Sequence, residues 1–126
     1  MKLENAVYQD FKKAVTPLMM HIHRIENAIQ FGTFDLTLSS TNRTLWVELK
    51  RDAMESLRPS QIRWALDRYQ AGCTSDMVVV CPHKNGDWCT FDVNHVIMNQ
   101  GKLFSVTSAT DSELRIFLLR KMFAHE

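Results

Sequence analysis

At 126 residues, with an apolar share of 45% and a charged share of 23%, the chain has the length and composition of one ordinary globular domain over residues 1–126. A net charge of +1 excludes a globally polycationic protein, so any surface for nucleic acid has to be a local basic patch balanced by acids elsewhere. The three cysteines, Cys73, Cys81 and Cys89, include no C-x-x-C pair, and no apolar run is long enough to span a membrane. With no signal-peptide core at Met1–Asn5 either, an intracellular, reducing location without membrane association is expected.

Val7, Phe11, Ala14 and Val15 fall at helical spacing within residues 4–15, and Pro17 ends that helix. Residues 18–30 are ambiguous, because Ile22, Ile25 and Ile29 fit a helix face or a short alternating strand. Gly32 then opens a stretch in which Phe34, Leu36 and Leu38 alternate with Thr33, Asp35 and Thr37, the period of a half-buried strand. A polar turn at residues 39–43 leads into a second strand over residues 45–50, making a hairpin.

Pro59 starts a helix striped by Ile62, Ala65, Leu66 and Tyr69, and Gly72 caps its end. Residues 77–81 are continuously apolar, as in a strand buried on both faces. A strand over residues 88–91, a short helix over 93–98 and a short strand over 103–106 follow. Thr110 and Glu113 form a capping box for a last helix carrying Leu114, Phe117, Leu118 and Phe123. The expected architecture is α/β, a central mixed sheet flanked by helices.

Chemistry concentrates in the hairpin. Glu48 and Lys50, two apart on one strand, project from one face. With the turn centred near Thr41, Asp35 falls roughly opposite Trp46 to Glu48, so two carboxylates and an ammonium converge. Adjacent carboxylates repel, which is tolerable where they share a hard cation such as Mg2+ (or Mn2+). A nearby lysine then orients or deprotonates the attacking water, and the set suits phosphodiester hydrolysis. Taken alone, the same charges fit the solvated face of a hairpin better than a catalytic site.

The series Gly32-Thr33-Phe34-Asp35, then Glu48-Leu49-Lys50 thirteen positions beyond Asp35, resembles the P-D…(D/E)-x-K nuclease superfamily signature. Arg58-Pro59-Ser60-Gln61 and the upstream run Arg24-Ile25-Glu26-Asn27 are similar to segments of its VRR-NUC branch, including phage-encoded members. The resemblance covers about residues 23–81, and it departs from the family at Phe34, where proline is usual. It implies a restriction-endonuclease-like core in which Asp35, Glu48 and the backbone carbonyl of Leu49 bind the metal, with Glu26 as an accessory acid. Lys50 would serve the attacking water and Gln61 would position Lys50 or that water. It further implies DNA as substrate, with branched DNA such as a four-way junction preferred, a homodimer, and the cytoplasm of a bacterium or phage-infected cell. The alternatives are a nicking or duplex-cutting enzyme of the same fold, or a DNA-binding module that no longer cuts.

Among the basic residues, Arg51 and Arg58 are the candidates for phosphate contact, while Lys12, Lys13, Arg24, Arg63 and Arg68 read as solvated helix and surface charge. Trp64 reads as packing or subunit surface. His21 with His23, and Cys81 with His83 and Cys89, match no standard zinc spacing.

Overall fold

The computed structural model describes residues 4–25, 32–72, 76–103 and 108–123. In chain order these form α1 (Glu4–Val15), a 3-10 turn (Thr16–Leu18), β1 (His21–Arg24), β2 (Leu36–Ser39), β3 (Thr44–Leu49), α2 (Pro59–Gln70), β4 (Met77–Pro82), β5 (Trp88–Asp92), α3 (Val93–Met98) and α4 (Asp111–Met122). The five strands make one sheet in the order β1-β2-β3-β4-β5. β3 and β4 run parallel, joined by the α2 crossover, and every other neighbouring pair is antiparallel. The expected hairpin is β2–β3, with Leu36 opposite Val47 and Ser39 opposite Thr44, so the turn is centred between Thr41 and Asn42.

Each sheet face carries its own apolar layer, which is why the interior strands are buried on both sides. Leu38, Leu45, Val47 and Val78 pack with Val7 and Phe11 of α1 and Leu114 and Leu118 of α4. Phe11 meets Trp88 edge-on at 6.0 Å, and the Arg115 guanidinium donates to the Ala14 carbonyl (2.8 Å), satisfying an end of α1 that Pro17 leaves without a further helical turn. On the opposite face, Met77, Val79, Cys81 and Phe91 pack with Ala65 of α2 and with Val93 and Val96 at α3. The capping box forms as expected: Glu113 N–H donates to the Thr110 hydroxyl (3.2 Å), and Thr110 N–H donates to the Glu113 carboxylate (3.0 Å). Gly72 lies just beyond α2 at φ +92°, a conformation costly for residues with a Cβ.

Four sequence expectations are refined. The ambiguous stretch supplies an edge strand, β1, pairing His21 with Ser39 and Arg24 with Leu36. The strand expected from Thr33 begins only at Leu36, and Phe34 does not share the layer of Leu36 and Leu38. The backbone turns between Gly32 and Asp35, delivering the Phe34 ring to the α2 face, where it lies 4.8 Å from Trp64. In α2 the buried positions are Gln61 and Ala65, whereas Leu66 and Tyr69 of the expected stripe are exposed. Leu103 is buried but is not in a strand, and residues 104–106 of that expected strand lie outside the described residues.

Phe11→Ala is expected to cost roughly 3–5 kcal/mol of folding stability, by removing a fully buried ring between α1, α4 and the sheet. Ile116→Ala on the half-exposed side of α4 is expected to be nearly neutral. Urea unfolding of both variants checks the assignment of the buried layer; comparable losses would contradict it.

Candidate active site

β2 and β3 stop pairing as a regular ladder beyond Leu36 and Val47, and two carboxylates take over. Asp35 N–H donates to Glu48 Oε1 (3.1 Å), and Leu49 N–H donates to Asp35 Oδ2 (3.0 Å). Each acid therefore satisfies a main-chain donor of the neighbouring strand. On the other side, Lys50 N–H continues the pairing of β3 with β4 by donating to the Val80 carbonyl (3.0 Å). Since N–H and C=O groups alternate sides along a strand, the Leu49 carbonyl points with its N–H, away from β4 and toward Asp35. The two carboxylates and this carbonyl are hard oxygen donors collected on one side of β3.

Helix α2 closes the arrangement from the sheet face. Gln61, in its first turn, is fully buried, with Glu48 (2% exposed) and Lys50 (5%) beside it. Gln61 Nε2 donates to Glu48 Oε2 (2.7 Å), and Gln61 Oε1 accepts from Lys50 Nζ (2.9 Å) and from Arg58 N–H (2.9 Å). Only this amide orientation works, because the flipped one would aim an NH2 group at an ammonium and a second N–H. Lys50 Nζ also lies 3.3 Å from Glu48 Oε2. Thus Gln61 caps α2 and joins the acid to the lysine.

The close approach of α2 depends on Gly32. Its φ is +90°, and a Cβ there would overlap the Ser60 carbonyl and sit 2.9 Å from Gln61 N. Phe34 accounts for the departure from proline: its ring is fully buried against Trp64, which also meets Trp46 at 5.1 Å. Trp64 is therefore a packing residue between α2 and the sheet.

A cleft of about 300 Å3 opens over this set, lined by Asp35, Glu48, Leu49, Lys50, Arg51, Glu55, Ser56 and Arg58. Both arginines expected to contact phosphate are on its walls. Glu55 and Ser56 are additions that no sequence pattern marks, since residues 51–55 form a turn rather than a helix. Arg51 is held by Glu55. Partial burial opposes the charge of Glu55, but hydrogen bonds from Arg51 and the charge of Lys50 outweigh it and keep its carboxyl below the ordinary range. Arg24 and Arg68 serve packing. The Arg24 guanidinium lies over the Tyr8 ring at 4.6 Å, and Arg68 lies against Trp46 and Trp64 while pairing with Asp76. Glu26 lies outside the described residues. His21 and His23 stack on edge strand β1, and Cys81 faces Cys89 across β4 and β5, both cysteines buried.

Burial first, and the neighbouring Asp35 charge second, push Glu48 up to about 7, against the pull of Lys50 and Gln61. Two neighbouring carboxylates, beside an inward carbonyl, fit a hard dication, which would favour the ionised form of Glu48. Mg2+ commonly takes one or two carboxylates and completes its shell with water and phosphate oxygens, so this donor set is sufficient.

No protein-family model matches the sequence, and no curated protein matches it either. Among solved structures it is similar to Hjc of Archaeoglobus fulgidus, a Holliday junction resolvase from an archaeal hyperthermophile, with a TM-score of 0.56. The fold is restriction-endonuclease-like. The likeness spans 71% of this chain and 77% of that chain at 15% sequence identity, so it is a likeness of fold.

Without metal, the raised Glu48 pKa contributes stability that is fully present below about pH 4.5 and lost as pH rises through about 7. Denaturant unfolding in chelator is expected to show this fall, and Glu48→Gln is expected to reduce its slope; an unchanged slope would reassign it. Gly32→Ala is expected to lower stability by roughly 2–4 kcal/mol, from the left-handed backbone and the forced retreat of α2. Calorimetric melting measures that loss.

Proposed function

We propose that this protein is a divalent-metal-dependent endodeoxyribonuclease that hydrolyses phosphodiester bonds in branched DNA, with four-way junctions as the preferred substrate. The observation that carries the reading is the joined set of Asp35, Glu48, Lys50 and Gln61 at the cleft. Two acids facing a polyanion weaken simple binding, so their place in the cleft, with Glu48 buried, favours chemistry over attachment. The resolvase activity of the structural neighbour supports the branched substrate, and the Arg58–Gln61 segment supports placement in the VRR-NUC branch.

Asp35, Glu48 and the Leu49 carbonyl would hold Mg2+ or Mn2+, with Glu26 as accessory acid. The ion would neutralise charge developing on the phosphate oxygens and favour ionisation of the attacking water. Lys50, held by Glu48 and Gln61, would serve the attacking water. Gln61 fixes the lysine and prevents it from collapsing fully onto Glu48. Arg51 and Arg58 contact phosphates of the bound strand and set it in the cleft. Paired cutting of a four-way junction needs two such clefts, so the working form is proposed to be a two-fold homodimer.

The test is cleavage of four-way junction, splayed, single-stranded and duplex DNA by purified protein with Mg2+ or Mn2+. Symmetrical cuts in the junction are expected, with Asp35→Asn and Lys50→Ala slowing them at least about 100-fold while both variants stay folded. Cutting of plain duplex at an equal rate would replace the junction preference with a duplex or nicking activity. Binding without cutting under all conditions would replace the enzyme with a DNA-binding module.

A further inference from the structure

The wall of the cleft between Lys50 and α2 contains an acid whose place there is unexplained by metal binding or by folding. Glu55 spends both carboxylate oxygens on one residue. Arg51 N–H donates to Glu55 Oε1 (2.9 Å), while Arg51 Nε and Nη2 donate to Glu55 Oε2 (3.2 and 3.0 Å). One carboxylate thus grips both the main chain and the guanidinium of the residue immediately after Lys50.

The grip has a rigid base. Met54 N–H donates to Asp52 Oδ1 (2.9 Å) and Glu55 N–H to the Asp52 carbonyl (3.2 Å), closing a tight turn. Leu57, two residues on, is buried and donates its N–H to the Gly101 carbonyl (2.8 Å). A Cβ at Gly101 would press on the Leu57 carbonyl, so this anchor also depends on a close backbone approach.

A metal-ligand role is disfavoured, because among the described residues no three His, Cys, Asp or Glu side chains form a metal-holding group. Both Glu55 oxygens are instead taken up by Arg51. Partly exposed ion pairs contribute little to folding, and this pair, with side chains 43% and 30% exposed, is of that kind. In a cleft for a polyanion, the negative charge of Glu55 is a cost to binding. What it provides is direction. A guanidinium has five N–H donors in a fixed plane, and fixing Nε and one edge of Nη2 leaves the two Nη1 hydrogens and one on Nη2 aimed as a set.

We propose that Glu55 is a positioning residue, which holds Arg51 so that its remaining guanidinium donors meet the phosphate being cut. This rests on the nuclease reading above. It separates binding from rate: Glu55 weakens attachment of DNA while speeding its cleavage.

The experiment measures junction cleavage under single-turnover conditions, and junction binding by fluorescence anisotropy in chelator, for wild type, Glu55→Ala, Arg51→Ala and the double variant. Melting curves confirm that each is folded. Glu55→Ala is expected to bind junction at least as tightly as wild type, yet cut it roughly 10-fold or more slowly at saturating protein. Arg51→Ala is expected to lose both binding and rate, and the double variant to cut no more slowly than Arg51→Ala, because Glu55 acts through Arg51.

Four results would overturn the proposal. Faster cutting by Glu55→Ala would make the pair an inhibitory latch. Recovery of its rate by excess Mg2+ would make Glu55 a metal ligand. Additive losses in the double variant would separate the two residues, and an unchanged rate would leave Glu55 a surface acid. In each of these the wild type still cuts and the nuclease reading stands; a wild type that cuts nothing removes both.

Discussion

The site depends on an exchange of hydrogen bonds where the β2–β3 ladder ends. The Glu48 carboxylate on β3 accepts the N–H of Asp35, just before β2, and the Asp35 carboxylate accepts the N–H of Leu49 on β3. An ordinary hairpin would continue its N–H···O=C ladder and leave acids to solvent. Here the side chains replace the ladder, so the strands can part without leaving those donors unpaired. The parting makes the cleft, and the replacement puts both acids at its floor.

That arrangement is costly, and the rest of the fold compensates for it. Glu48 and Lys50 are nearly inaccessible, and a buried ion pair of this sort is seldom more stable than an apolar pair of equal volume. Gln61 makes it tolerable by presenting an acceptor to the lysine and a donor to the acid. To do so it must sit at the start of α2, and α2 must approach Gly32 more closely than a residue with a Cβ permits. Phe34, Trp64, Trp46 and Arg68 then hold the helix laterally against the sheet. None of this polar clustering improves the core, which points to selection for the site.

The same economy of backbone appears on the opposite wall. Residues 51–58 carry no regular element, yet Asp52, Glu55 and the Leu57–Gly101 contact fix their course. Arg51, Glu55, Ser56 and Arg58 of this loop line the cleft. The two remaining layers, α1 with α4 and α3 with β5, hold the sheet from both faces without entering the cleft.

Local patterning carried much of this on its own. Period-2 alternation in residues 45–50 fixes Glu48 and Lys50 on one face, because side chains in a strand have no other choice. The turn near Thr41 brings Asp35 to their level, and the spacing of Thr110 and Glu113 marks the start of α4. The alternation misplaced Phe34 because a period describes a strand only while the backbone is extended, and the turn at Gly32 reverses the ring before β2 begins. Leu66 and Tyr69 show the same limit in α2: a helical stripe gives spacing, but which side is buried is set by the sheet it meets. β1 stayed ambiguous because an exposed four-residue edge strand has too few buried positions to declare a period. The sequence by itself determined which acids and which lysine share a face, since that follows from short-range geometry. The resemblance also named Gln61 as the residue positioning Lys50 or the water. Only the tertiary structure decided that it bonds Glu48 as well, that Gly32 is the contact allowing it, and that Glu55 holds Arg51, because each depends on distances between segments that no local pattern encodes.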